Sequence, residues 1–135
     1  LLCIKPTNFL TDCGIRSSST FRNGDFSESH SYWTIEKDAG VKDSCGYVQG
    51  GRLYEGLYLT AGNYIFHADV KSAGTLFVES ADTGETVISE PFESDDWTSF
   101  SVSFDILTEG TYYLGISGDQ AFVRRVEISN PGQTR

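Results

Sequence analysis

The sequence contains no methionine and has only three cysteines, three prolines, two histidines and two tryptophans in 135 residues. The missing methionine implies either a processed product or a piece excised from a longer protein. With three cysteines (Cys3, Cys13 and Cys45), at least one is unpaired within a chain or is paired between chains. A Cys3–Cys13 bridge would staple the N-terminal arm, and Cys13–Cys45 is equally lawful. No Cys-x-x-Cys spacing occurs and His30 and His67 stand apart, so no zinc site is expected. No apolar run is long enough to span a bilayer, which excludes membrane insertion by a helix. Basic residues are scarce: 10 Lys and Arg face 19 Asp and Glu, a net charge of −9. That balance excludes nucleic acid and anionic membranes as partners, because both reward positive charge.

Catalytic signals are also missing. There is no Gly-x-Ser-x-Gly elbow and no glycine-rich phosphate loop before a helix. Carboxylates are abundant (Glu55, Asp69, Glu79, Asp82, Glu85, Glu90, Glu93, Asp95, Asp96), but most read as turn or solvent-face residues. In so acidic a chain, some pair will always look close. The protein is therefore not read as an enzyme, and no cofactor is expected.

What is present is alternation. In 64–71, Tyr64, Phe66, Ala68 and Val70 face one way and Ile65, His67, Asp69 and Lys71 the other. Phe100, Val102, Phe104 and Ile106 alternate with Ser99, Ser101, Ser103 and Asp105. Leu53, Leu57 and Leu59 oppose Tyr54 and Tyr58, while Tyr112, Leu114 and Ile116 oppose Tyr113, Gly115 and Ser117. Turn chemistry separates these runs at 60–63, 72–74, 82–85 and 108–110. The pattern predicts an all-β, antiparallel two-sheet β-sandwich over 21–130, preceded by an arm or linker at 1–20 and followed by a tail at 131–135. Its expected core is Phe26, Leu57, Leu59, Tyr64, Phe66, Val70, Phe100, Val102, Phe104, Leu114, Ile116, Val126 and Ile128, with Trp33 also read as core.

Several segments together resemble carbohydrate-binding modules of the galactose-binding-like jelly-roll class. They are Asn23-Gly24-Asp25-Phe26 with Trp33, the run 59–71, Asp96-Trp97-Thr98 with its strand to Phe104, Gly110-Thr111-Tyr112-Tyr113-Leu114, and 121–128. The resemblance implies a jelly roll and a glycan or polysaccharide partner. Such modules often hold a structural calcium between an acid after the opening Phe and an acid in the last strand. Here those positions are Ser27 and Arg124, so calcium is disfavoured and Arg124 is expected to pair with Asp25 or another nearby acid.

Sugar rings are held by flat aromatic faces with polar groups beside them. The candidates on non-core strand faces are Tyr54, Tyr58, Trp97 and Tyr113, with His67 and Asp69 as hydrogen-bonding groups and Tyr47 on a rim loop. An alternative of a different class is a structural or assembly subunit (a surface fibre, capsid or tail protein) that self-associates through residues 1–20. Either reading, with the cysteine usage, points to an extracellular, cell-surface or virion setting.

Overall fold

Three of the strands are far longer than a small domain can hold straight, and this organises the fold. In the computed structural model, which describes residues 20–130, the strands are β1 (Thr34–Glu36), β2 (Ala39–Lys42), β3 (Cys45–Val48), β4 (Gly51–Leu59), β5 (Gly62–Ser80), β6 (Thr86–Ile106) and β7 (Gly110–Ser129). A straight strand of twenty residues would reach about 65 Å. A domain of this size has a radius of gyration of about 13 Å. So β5, β6 and β7 each bend, and each contributes one half to either of two antiparallel sheets. The first sheet runs β1, β4, then 110–118 of β7, 72–80 of β5 and 86–94 of β6. The second runs β2, β3, then 121–129 of β7, 62–70 of β5 and 98–106 of β6. This is an all-β sandwich whose corners are made by strands that switch sheets.

The bend is built from residues that look like a turn. Register shifts fall at Val70/Ser72 and Ala73/Thr75, and Ser72 has a φ of 69°. The turn expected at Ser72-Ala73-Gly74 is therefore a corner inside β5, because the same small residues that close a hairpin also permit a bulge. A Cβ on Gly74 would lie 2.7 Å from the Cβ of Ala121 and 2.8 Å from the Ser117 carbonyl oxygen. Gly74→Ala is expected to cost about 1–3 kcal/mol through overpacking. Urea denaturation checks this, and an unchanged midpoint would mean that the corner is free to relax.

The core lies between the sheets. Eleven of the thirteen expected core residues are buried, while Phe100 and Ile128 are half-buried and pack against the same cluster. The segment 20–33 closes one end. Asn23 organises it: its amide donates to the carbonyls of Ser29 (2.7 Å) and Ser31 (3.0 Å), and its own carbonyl accepts from Trp33 Nε1 (2.9 Å). Trp33 is buried, with Phe21 stacked on it at 5.5 Å and Phe26 tilted against it at 4.9 Å.

One core position is not apolar. Glu55, read from the sequence as one acid among many, occupies the inward face of β4 between Leu53 and Leu57 and is 0% exposed. Its carboxylate accepts from the Arg22 backbone N–H at 3.0 and 3.3 Å and from Arg22 Nε at 3.3 Å. The pair ties the N-terminal segment to the first sheet. Burial pushes the Glu55 carboxyl up to about 7, against the hydrogen bonds and charge of Arg22. Desolvation wins because the guanidinium side chain is itself 41% exposed, where water screens its attraction.

Candidate functional site

The strand pleat sends every second side chain outward, so the outer surfaces of the two sheets are where ligands would meet aromatic residues. On the first sheet, Thr34, Tyr54, Gly115, Phe77 and Ser89 form one cross-strand row, and Glu36, Arg52, Ser117 and Thr75 form the next. Tyr54 and Tyr113 lie 4.8 Å apart between ring centroids, and Phe77 meets Tyr54 edge-on at 6.2 Å. Gly115 sits between Tyr54 and Phe77. A Cβ there would collide with the Leu53 carbonyl oxygen and the Tyr54 Cβ, so only glycine lets these side chains close over the strand. Tyr113 lies in turn over Gly56.

Arg52 spans this aromatic group. Its guanidinium is 4.9 Å from the Tyr54 ring centre and 4.8 Å from that of Phe77. Nε donates to Glu36 at 2.8 Å and Nη1 to Glu79 at 3.2 Å. The Arg52 hydrogen bond holds the Glu36 carboxyl below the usual carboxylate range. Burial, and then the Glu36 charge, raise the Tyr54 phenol, which therefore stays a neutral hydrogen-bond donor. Tyr58 extends the face and donates to Glu109. The face thus offers aromatic surface beside fixed donors and acceptors. Arg52 shares the strand parity of Tyr54 and was legible on that account. Phe77 was not, because Leu76-Phe77-Val78 is an unbroken apolar run without a period.

The structure divides the seven candidate sugar-binding residues between opposite sides. Tyr54, Tyr58 and Tyr113 lie on the first sheet. Tyr47, His67, Asp69 and Trp97 belong to the second sheet and its corner. There His67 Nδ1 is 2.7 Å from Ser101 Oγ. Asp69 is only 8% exposed, accepts from Ser99 Oγ at 3.1 Å, and faces Arg124 at 3.6 Å and Arg125 at 3.7 Å. One face of Trp97 is covered by the Arg124 guanidinium, 4.1 Å from the ring centre.

Of the acids expected to meet Arg124, Asp25 or another nearby one, the partner is another, Asp69, and not Asp25. Between the pairs His67–Glu127 and Asp69–Arg124, one residue of β5, Ala68, opposes two of β7, Arg125 and Val126, and Arg125 has a φ of 52°. This bulge breaks the parity counted back from Val126 and turns Arg124 outward, onto Asp69. Asp25 instead accepts the Ser27 N–H at 3.1 Å, which lowers its carboxyl. Cys45 is half-buried and is not in a disulfide, while Cys3 and Cys13 lie outside the described residues. A concavity of about 850 Å³ at the corner is lined by Glu93, Asp95 and Asp119 rather than by exposed rings.

No protein-family model and no curated protein matches the sequence. Solved structures do. TmCBM61 in complex with β-1,4-galactotriose aligns over 85% of this chain and 99% of its own, at 16% identity and a TM-score of 0.63. A CBM4 structure aligns over 90% and 92%, at 14% identity and a TM-score of 0.58. The module CBM6cm-2 from Cellvibrio mixtus lichenase 5A, in complex with cellotriose, aligns over 88% and 99%, at 16% identity and a TM-score of 0.51.

The chain has the fold of the carbohydrate-binding modules.

In this carbohydrate-binding-module fold, the residues that resemble the calcium positions do not suit a calcium ion. Ser27 brings no carboxylate, Arg124 brings a positive charge, and Asp25 is occupied by Ser27. Among the described residues no three His, Cys, Asp or Glu side chains cluster as a metal ion would require, and no helix is long and apolar enough to cross a membrane.

Proposed function

We propose that the protein is a non-catalytic carbohydrate-binding module, acting outside the cell, that lays a glycan across the outer face of the first sheet. The observation that carries this reading is the Tyr54–Tyr113 pair beside Arg52, Glu36 and Glu79. The pair supplies apolar ring surface for the C–H faces of sugars. The guanidinium and carboxylates are held rigid by one another and are positioned to exchange hydrogen bonds with hydroxyl groups. The neighbours support the reading, since two of them were solved with a galactotriose and a cellotriose.

Tyr54→Ala and Tyr113→Ala are each expected to weaken glycan binding by about tenfold or more, about 1.4 kcal/mol. Far-ultraviolet circular dichroism should stay unchanged. Affinity electrophoresis against a panel of neutral polysaccharides, followed by calorimetry with cellotriose and β-1,4-galactotriose, measures this. Wild-type affinity in both variants would remove the first sheet from the reading.

A further inference from the structure

The second sheet repeats the same construction on the other side of the sandwich. Gly40, Tyr47, Phe122 and Lys71 are direct cross-strand partners on four adjacent strands. A Cβ on Gly40 would lie 3.0 Å from the Tyr47 hydroxyl and 3.2 Å from its Cζ. The tip of the Tyr47 ring therefore lies over Gly40, as Tyr113 lies over Gly56, where a side chain on the glycine would hold it off the sheet. Lys42, Asp43, Cys45, Gln49 and Phe122 surround it and enclose a concavity of about 420 Å³.

The rim is held at a conformational cost. Asp43 and Ser44, the two residues joining β2 to β3, have φ of 55° and 61° with no glycine at either position. A left-handed backbone is disfavoured at both, because each carries a Cβ. The tight turn keeps Asp43 beside Lys42 at the mouth of the concavity.

We infer that this concavity is a second glycan-binding site, independent of the first and facing the opposite way. It extends the reading above that the protein binds glycans, but shares no residue with the first face. The occupant follows from the chemistry. β3 is paired on both sides, by β2 and β7, so an extended peptide cannot add to it as a strand. Lys42 and Asp43 cancel in charge, which disfavours an anionic ligand. One flat ring with an ammonium, a carboxylate and an amide around it suits a neutral, hydroxyl-rich sugar. Because the two faces lie on opposite sides of a two-layer sandwich, one molecule can hold two polysaccharide chains together.

The test is amide chemical-shift mapping of the ¹⁵N-labelled full chain, titrated separately with cellotriose and β-1,4-galactotriose. It is paired with a turbidity assay on whichever soluble polysaccharide, hydroxyethylcellulose or galactan, the wild type retards in affinity electrophoresis. Two sets of shifts are expected, one over 52–58 and 111–117 and one over 40–49 and 122, with different affinities. Tyr47→Ala should weaken the second set by about tenfold, leave the first within about twofold, and abolish the turbidity. Tyr47→Phe should keep both, and Gln49→Ala reads the same site without touching the ring. A variant at Tyr47 that binds and cross-links like wild type overturns the second site and leaves the first standing. So does loss of both sets of shifts in Tyr54→Ala/Tyr113→Ala. A wild type with no shifts on either face overturns both.

Discussion

The protein loses stability as pH rises from about 5 to about 8, and Glu55→Gln removes most of that loss. The cause is the carboxyl buried on the core face of β4, whose folded pKa of about 7 stands above its ordinary value of 4.5. The folded chain therefore holds this proton over a range where the unfolded chain has released it. The stabilisation is fully present below about 4.5 and is lost as pH climbs through about 7. A shift of that size corresponds to about 3 kcal/mol, a large fraction of the stability of a domain this size. Urea denaturation of both proteins at intervals across this range gives the answer. If the two stability curves stay parallel, Glu55 is not buried against the charge of its own carboxylate. Glu55→Ala is a harsher change, because it also strands the Arg22 N–H that the carboxylate accepts.

Phe66→Ala is expected to cost about 3–5 kcal/mol. Phe66 is 1% exposed on the inner face of the second sheet, paired to Val102 on one side and Ile128 on the other. Its ring meets that of Phe21 at 5.4 Å, so truncation opens a cavity that also loosens the N-terminal segment. Local collapse is limited because the neighbours are held by two strands rather than by a loop. A loss below about 1 kcal/mol in urea would mean that the ring is not a core residue at all.

The two positions differ in how legible they were. Phe66 lies in a clean alternation, Tyr64-Phe66-Ala68-Val70, that assigns it inward from the sequence alone. Glu55 holds the inward parity of Leu53 and Leu57, yet its charge argued for the surface. Only the arrival of Arg22 from 33 residues away makes the burial tolerable. Arg124 was expected to meet Asp25 or another nearby acid, and it meets another, Asp69, because a bulge that leaves no mark in composition puts its side chain on the outer face. The aromatic candidates were nearly all found by parity, but parity says only that a residue is outside. It does not say on which sheet. Tyr47 and Tyr54, seven residues apart, end on opposite faces of the molecule.

Alternation and turn chemistry, both local, determined that this chain is an all-β sandwich and placed most of its apolar core and its outward tyrosines. Pairing across the sheets decided the rest: the corners inside β5, β6 and β7, the Glu55–Arg22 tie, the Asp69–Arg124 contact, and the sorting of tyrosines into two faces. The physical reason is range. A strand's two faces are set by its own pleat, whereas the sheet it joins, and the charge that meets it there, come from residues distant in sequence.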